Sequence, residues 1–213
     1  MHKTKIIRNS VRTFAFLMFL HTTFRAGTIP KKKGSLCTSK AGCFIMEFKV
    51  FQKELELQSR GWIPTFHDVS KEIIEIVQAS GVKNGTVCIA SHHTTCSVMI
   101  QDIDSFDIEY LQHDLLDIMR KMIPDFAEEH QYRHPGPIHA QFGRYVNEPG
   151  DYTSMNTDGH LRSVFFGRSE TMTIKDGVLD GGEFAHIYFV DWDHVRARHR
   201  QLNVTVMGTA EDV

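Results

Sequence analysis

The sequence predicts an α+β fold, a β-sandwich-like antiparallel core with helices packed on it. Three observations carry this. Strand-like stretches come in runs joined by turns instead of alternating regularly with helices. Two amphipathic helical patterns, near 68–80 and 105–122, interrupt them. The run His186-Ile-Tyr-Phe-Val190 is almost continuously apolar, as a central strand would be. A chain of 213 residues suits one domain, or one domain plus an extension, and can bury a sizeable core.

From Glu47 to Leu57 the apolar residues Phe48, Val50, Leu55 and Leu57 alternate in part with polar ones. That is a half-exposed strand, antiparallel to a neighbour. Gly61-Trp-Ile-Pro64 breaks it. Asp68 is a candidate N-cap, and Val69, Ile73, Ile76 and Val77 follow at helical spacing to a stop at Ser80-Gly81. Asn84-Gly85 reads as a turn. Apolar β-formers then flank His93-Thr-Thr-Cys-Ser97, two short buried strands meeting at a polar site. Burying Ser, Thr and His unpaired is costly, so this core must hydrogen-bond or bind something.

The second helix, from about Ser105 to Met122, carries Leu111, Leu115, Ile118, Met119 and Met122 as its apolar stripe. His113 then faces water, and Asp114 lies at the stripe's edge, within reach of an interior pocket. Pro124 to Asp158 is long and turn-rich, the kind of loop that often carries function. It holds Tyr132-Arg133-His134 and ends on Asn156-Thr-Asp-Gly-His160. One or two helical turns from His160 to Phe166 are expected to place Leu161, Val164 and Phe165 inward. Strands at Glu170–Ile174, Phe184–Val190 and Gln201–Met207 complete the sheet, with Trp192–Arg200 as a basic hairpin connection.

The net charge of −2 conceals an asymmetry. Residues 1–46 contain nine Lys/Arg and no acid, leaving 15 basic and 26 acidic side chains beyond them, a net of −11. An acidic body does not favour a phosphate backbone, so nucleic-acid binding is not expected. Residues 1–45 are set apart as a basic N-terminal extension, and 46–213 as the folded domain. The apolar run Thr13–Leu20 is too short to span a bilayer, so no stable membrane span is expected. A secretory signal, a mitochondrial-type presequence, or an over-long start with Met46 as the true one would each account for the extension. Unless it is a genuine targeting signal, the expected location is cytoplasmic. No Cys-x-x-Cys occurs among the four cysteines; Cys88 and Cys96, in apolar strands, read as buried thiols of a reducing compartment.

His-Glu-x-x-His, a Walker loop and a Gly-x-Ser-x-Gly elbow are all absent. What remains is dispersed: His93 at a strand end, His134 in the long loop, His160 at a helix start, and Asp114 on a helix edge. Three imidazoles and a carboxylate suit a divalent metal (zinc or magnesium) with an open position, or an acid–base pair around an anion. His92 points to the opposite face from His93, so at most one of them enters a pocket. His194 and His199, among arginines, read as solvated, and Cys96 as packed.

Taken in order, His93-Thr-Thr-Cys-Ser97, His113-Asp114, Tyr132-Arg-His134, Asn156-Thr-Asp-Gly-His160-Leu-Arg-Ser163 and Phe166-Gly-Arg-Ser-Glu-Thr171 resemble the hallmarks of the YjbQ-type family, which carries the label of secondary thiamine-phosphate synthase enzymes. The resemblance runs from about Glu47 to the C-terminus. It implies a compact α+β fold assembled as a homotrimer, with His93, His134 and His160 lining a metal or anion site. It also implies transfer of a pyrimidine diphosphate onto a thiazole phosphate with release of pyrophosphate. In that picture Arg133 and Arg162 stabilise the departing pyrophosphate, and Asp114 orients a ligand histidine. Thr94, Thr95 and Ser97 hydrogen-bond a phosphorylated small molecule, and Asn156 also lies among the substrate-binding positions. Two stretches depart from the pattern: Gln101-Asp102-Ile103 stands for Asn-Glu-Asn, and Gly182-Glu-Phe-Ala185 for Gly-Thr-Trp-Gln. A metal- or anion-binding module without turnover, and a scaffold whose histidines pair in a trimer interface, are the alternatives.

Overall fold

The computed structural model describes residues 46–102, 110–128, 130–138 and 155–211. The N-terminal extension, the expected helix start at Ser105 and most of the loop between His134 and His160 lie outside the described residues. The order of elements is β1 (Met46–Gln58), β2 (Thr65–Asp68), α1 (Ser70–Ser80), β3 (Asn84–Ser91), β4 (Cys96–Asp102), α2 (Tyr110–Met122), α3 (Thr157–Phe166), β5 (Ser169–Lys175), β6 (Val178–Asp180), β7 (Ala185–Asp191) and β8 (His199–Glu211).

Two antiparallel sheets result. One has the strand order β1-β8-β3-β5-β6 and the other β2-β7-β4. The predicted α+β class is what forms. β1 and β8 pair along their full length, from Met46 opposite Glu211 to Gln58 opposite His199. Gly85 and Gly208 face one another between β3 and β8. A Cβ on Gly208 would stand 2.3 Å from the Asn84 carbonyl oxygen, so the close approach of these strands requires glycine there.

Alternation sets the layers. Leu55, Val87, Ile89, Leu202, Val204 and Val206 point inward from the larger sheet, against Val98, Ile187 and Phe189 of the smaller one and Ile73, Ile76 and Val77 of α1. A second cluster, Met99, Leu116, Met119, Tyr188, Val190 and Trp192, fills the far face of the smaller sheet under α2. β7 is therefore covered on both faces, which explains its unbroken apolar run. α1 ends as expected, with Gly81 in the left-handed region at φ 70°.

Three expectations are corrected. Asn84-Gly85 opens β3 instead of forming a turn. The buried positions of α2 are Gln112, Leu116 and Met119, so its inward face is rotated away from the predicted stripe, and Leu111, Ile118 and Met122 are exposed. α3 is turned over altogether. Its buried residues are Thr157, Asp158, Gly159, Arg162 and Ser163, while Leu161, Val164 and Phe165 are 41%, 78% and 63% exposed.

Candidate functional site

The turn between β3 and β4 and the start of β4 hold the His93-Thr-Thr-Cys-Ser97 core, in which Thr95, Cys96 and Ser97 find polar partners inside the protein. Asp191, fully buried at the end of β7, takes a forked pair of bonds from Arg200, Nε to Oδ2 at 2.7 Å and Nη2 to Oδ1 at 2.9 Å. Arg200 also donates to Thr95 Oγ1 at 3.0 Å, and Cys96 Sγ donates to Asp191 Oδ1 at 3.5 Å. Ser97 Oγ accepts the Trp192 indole N–H at 2.9 Å and donates to the Ser163 carbonyl at 3.3 Å. Thr94 contributes its carbonyl, which accepts from Ser163 Oγ at 2.6 Å. Burial first, and then the Asp191 charge, push the Cys96 thiol far above its usual range, which suits packing and not nucleophilic attack. His93 Nε2 accepts the backbone N–H of Gln201 at 3.1 Å. An imidazole that accepts there is neutral; burial, then the Arg200 charge, hold its pKa below the ordinary value.

The structure brings His134 and His160 together. Their rings stand 5.4 Å apart, centroid to centroid, at 68°. His134 Nδ1 meets Thr157 Oγ1 at 2.9 Å, and that hydroxyl donates to the His134 carbonyl at the same distance, 2.9 Å. Thr157 begins α3 and His160 lies in its first turn, so one helix end positions both rings. Gly159 lets that turn approach the sheet: a Cβ there would stand 3.2 Å from the Trp192 backbone. Asn156 donates to Asp193 Oδ2 at 3.1 Å instead of facing a pocket.

Arg162 lies on the opposite side of α3 from His160 by helical geometry, about 200° around the axis. Its side chain is 0% exposed, with Nη2 on the Ile123 carbonyl and on Asp125 Oδ1, both at 2.6 Å, and Nη1 3.3 Å from Asp158 Oδ2. Asp158 is also fully buried, and His194 Nε2 meets its Oδ2 at 2.9 Å. That hydrogen bond raises the His194 pKa against the opposing effect of burial. Asp125, Asp158 and His194 each offer a ligand atom within 4.8 Å of the others. The Arg162 guanidinium already supplies the cation those carboxylates need, so the group reads as an ion network, not as a metal centre.

Thus two of the three expected histidines converge, and His93 is engaged elsewhere, at β8. Arg133 is exposed beside His134. Asp114 and His113 are both exposed on α2, because that helix buries the side bearing Gln112 and Leu116. His194, expected in solvent, is instead half-buried on Asp158. Asp158 stood inside the motif that ends on His160, but its partner is 36 residues away and no local pattern links them.

The family model described as UPF0047 protein YjbQ-like matches residues 53–209. A UPF0047 protein of Methanothermobacter thermautotrophicus is 25% identical over 169 residues, covering 79% of this chain and 98% of its own length. YugU of Bacillus subtilis, also a UPF0047 protein, is 24% identical over 131 residues, or 62% of this chain and 82% of its own. Among solved structures, a YbjQ-like protein of unknown function from Sulfolobus solfataricus has a TM-score of 0.59 at 20% identity, covering 76% of this chain and 99% of that one.

These relatives overturn the expected thiamine-phosphate synthase-type transfer. The family model and curated relatives bear a family designation and no reaction, and the Sulfolobus protein is described as of unknown function. Nor do they favour the alternative, a binding module without turnover. The geometry agrees on one point: Arg162, expected to meet pyrophosphate, is sealed between two carboxylates. No helix among the described residues is long and apolar enough to cross a membrane. With the family match spanning most of the fold, the chain belongs to the UPF0047 YjbQ-like family.

Proposed function

We propose that the His134–His160 pair is the centre of a ligand site that takes a divalent cation and, through it, a phosphorylated small molecule. The observation that carries this is the paired rings at 5.4 Å. Two imidazoles sharing one tetrahedral zinc have ring centres about 5 Å apart, so the residues suit the ion. The Thr157 hydroxyl on His134 Nδ1 is the outer partner that fixes a ligand imidazole's orientation. Imidazole donors favour zinc over magnesium. Arg133, exposed next to His134, supplies a cation for a phosphate. His93 Nε2 is occupied by the Gln201 N–H, so the reading rests on the pair.

The same reading includes a homotrimer. The exposed Leu161, Val164 and Phe165 of α3 are apolar residues of the kind that a partner covers, as are Leu111, Ile118 and Met122 of α2. Calorimetric titration with zinc tests the site. One ion per chain is expected, with affinity lost by about 100-fold or more in His134→Ala and in His160→Ala. Unchanged zinc affinity in both variants, or no binding to the wild type, overturns it. Light scattering tests the assembly, with a mass of three chains expected.

A further inference from the structure

We propose that the buried network Asp125–Arg162–Asp158–His194 is a clamp that positions His134 against His160, holding the loop from Ile123 to His134 on α3. This rests on the reading that the His134–His160 pair is the ligand centre. The loop leaves α2 and delivers Tyr132, Arg133 and His134. It folds on itself: the Tyr132 hydroxyl donates to the Pro124 carbonyl, and the Phe126 and Tyr132 rings meet edge-on at 5.4 Å. Gln131 accepts from Ala127 N at 2.8 Å and donates to the Asp125 carbonyl at 2.9 Å. A compact loop moves as a unit, so its attachment points decide where His134 sits.

Both ends of the loop are attached to the same helix. At the far end His134 exchanges its two bonds with Thr157. At the near end Arg162 grips the Ile123 carbonyl and the Asp125 carboxylate. Arg120 of α2 adds a bond to the other Asp125 oxygen at 3.0 Å. A guanidinium fully out of water is tolerated only when it is paired on more than one side. Asp158 pairs it from within α3, and His194 holds Asp158 from the β7–β8 connection. The chain of contacts therefore runs from the sheet, through α3, to the loop that carries a ligand histidine. Arg162 and its partners are positioning residues.

The test uses the full chain in three variants, Asp125→Asn, Arg162→Lys and His194→Gln. Hydrogen exchange is followed in 123–134 and in β7, and contacts between the His134 and His160 ring protons are followed by NMR. In Asp125→Asn and Arg162→Lys, amides of 123–134 are expected to exchange roughly tenfold faster while β7 stays protected, and the ring contact is expected to vanish. Zinc affinity should fall by about 10- to 100-fold, as for loss of an outer partner. His194→Gln, which can still donate to Asp158, should stay near wild type. Unchanged loop exchange and an intact ring contact in Asp125→Asn overturn the clamp, even if Arg162→Lys does not fold. If the wild type binds no zinc, the ligand reading fails, and the exchange and ring-contact measurements still decide the clamp.

Discussion

Arg162 and Val164 stand two positions apart on α3 and have exchanged the places their side chains would ordinarily take, the arginine 0% and the valine 78% exposed. The burial of Arg162 is made possible by Asp125 and Asp158, and a fully buried guanidinium without them would be an uncompensated charge. The same logic governs Asp191, whose fork to Arg200 leaves Cys96 beside a fixed negative charge. Cys96 should consequently resist alkylation. Peptide mapping after brief iodoacetamide treatment at pH 8 is expected to find Cys88 labelled in the folded protein and Cys96 only after unfolding. Early labelling of Cys96 would contradict its buried, protonated state. At this scale the sequence was informative about strands and misleading about charges. Burial of Ser97 and Thr95 calls for polar partners, and in the fold these are Trp192, Asp191 and Arg200.

Among the elements, β3, β4 and β7 were legible because burial imposes a composition that periodicity can detect. β2 and β6, four and three residues long, fell below the length at which alternation can be seen. The helical turns expected from His160 to Phe166 begin earlier, at Thr157, and face the other way, since an apolar stripe is normally the buried one and here polar contacts hold the helix. Its attachment should depend on pH. The His194 pKa is raised above the ordinary imidazole value of 6.5 by the Asp158 hydrogen bond. The stability this pair contributes is therefore fully present below about pH 6.5 and is lost as pH rises through the raised value. His67 and His93 are shifted the other way, first by burial, and weaken the fold as the pH falls below the same ordinary value. Comparing denaturant midpoints of wild type and His194→Gln from pH 5.5 to 8.5 isolates the first effect. The wild-type advantage should shrink with rising pH; an advantage that grows would refute the assignment.

At the scale of the molecule, two sheets share one apolar interior and the far face of the smaller sheet carries a second one under α2. The candidate site lies where the second layer meets the sheet ends, at the start of α3. Of its residues, His134 and His160 could be picked out in the sequence because they sit in short motifs. Asp125 and His194 could not, since their role comes from long-range pairing through Arg162 and Asp158.

The outward side of α3 has one more consequence. In the proposed homotrimer a partner covers Leu161, Val164 and Phe165, exposed in the single chain, and folding is then tied to mass action because each dilution favours the separated subunit. Thermal melts of the wild type at 1 and 100 μM should then differ by several degrees, whereas a Val164→Glu, Phe165→Glu chain should melt at one temperature whatever its concentration.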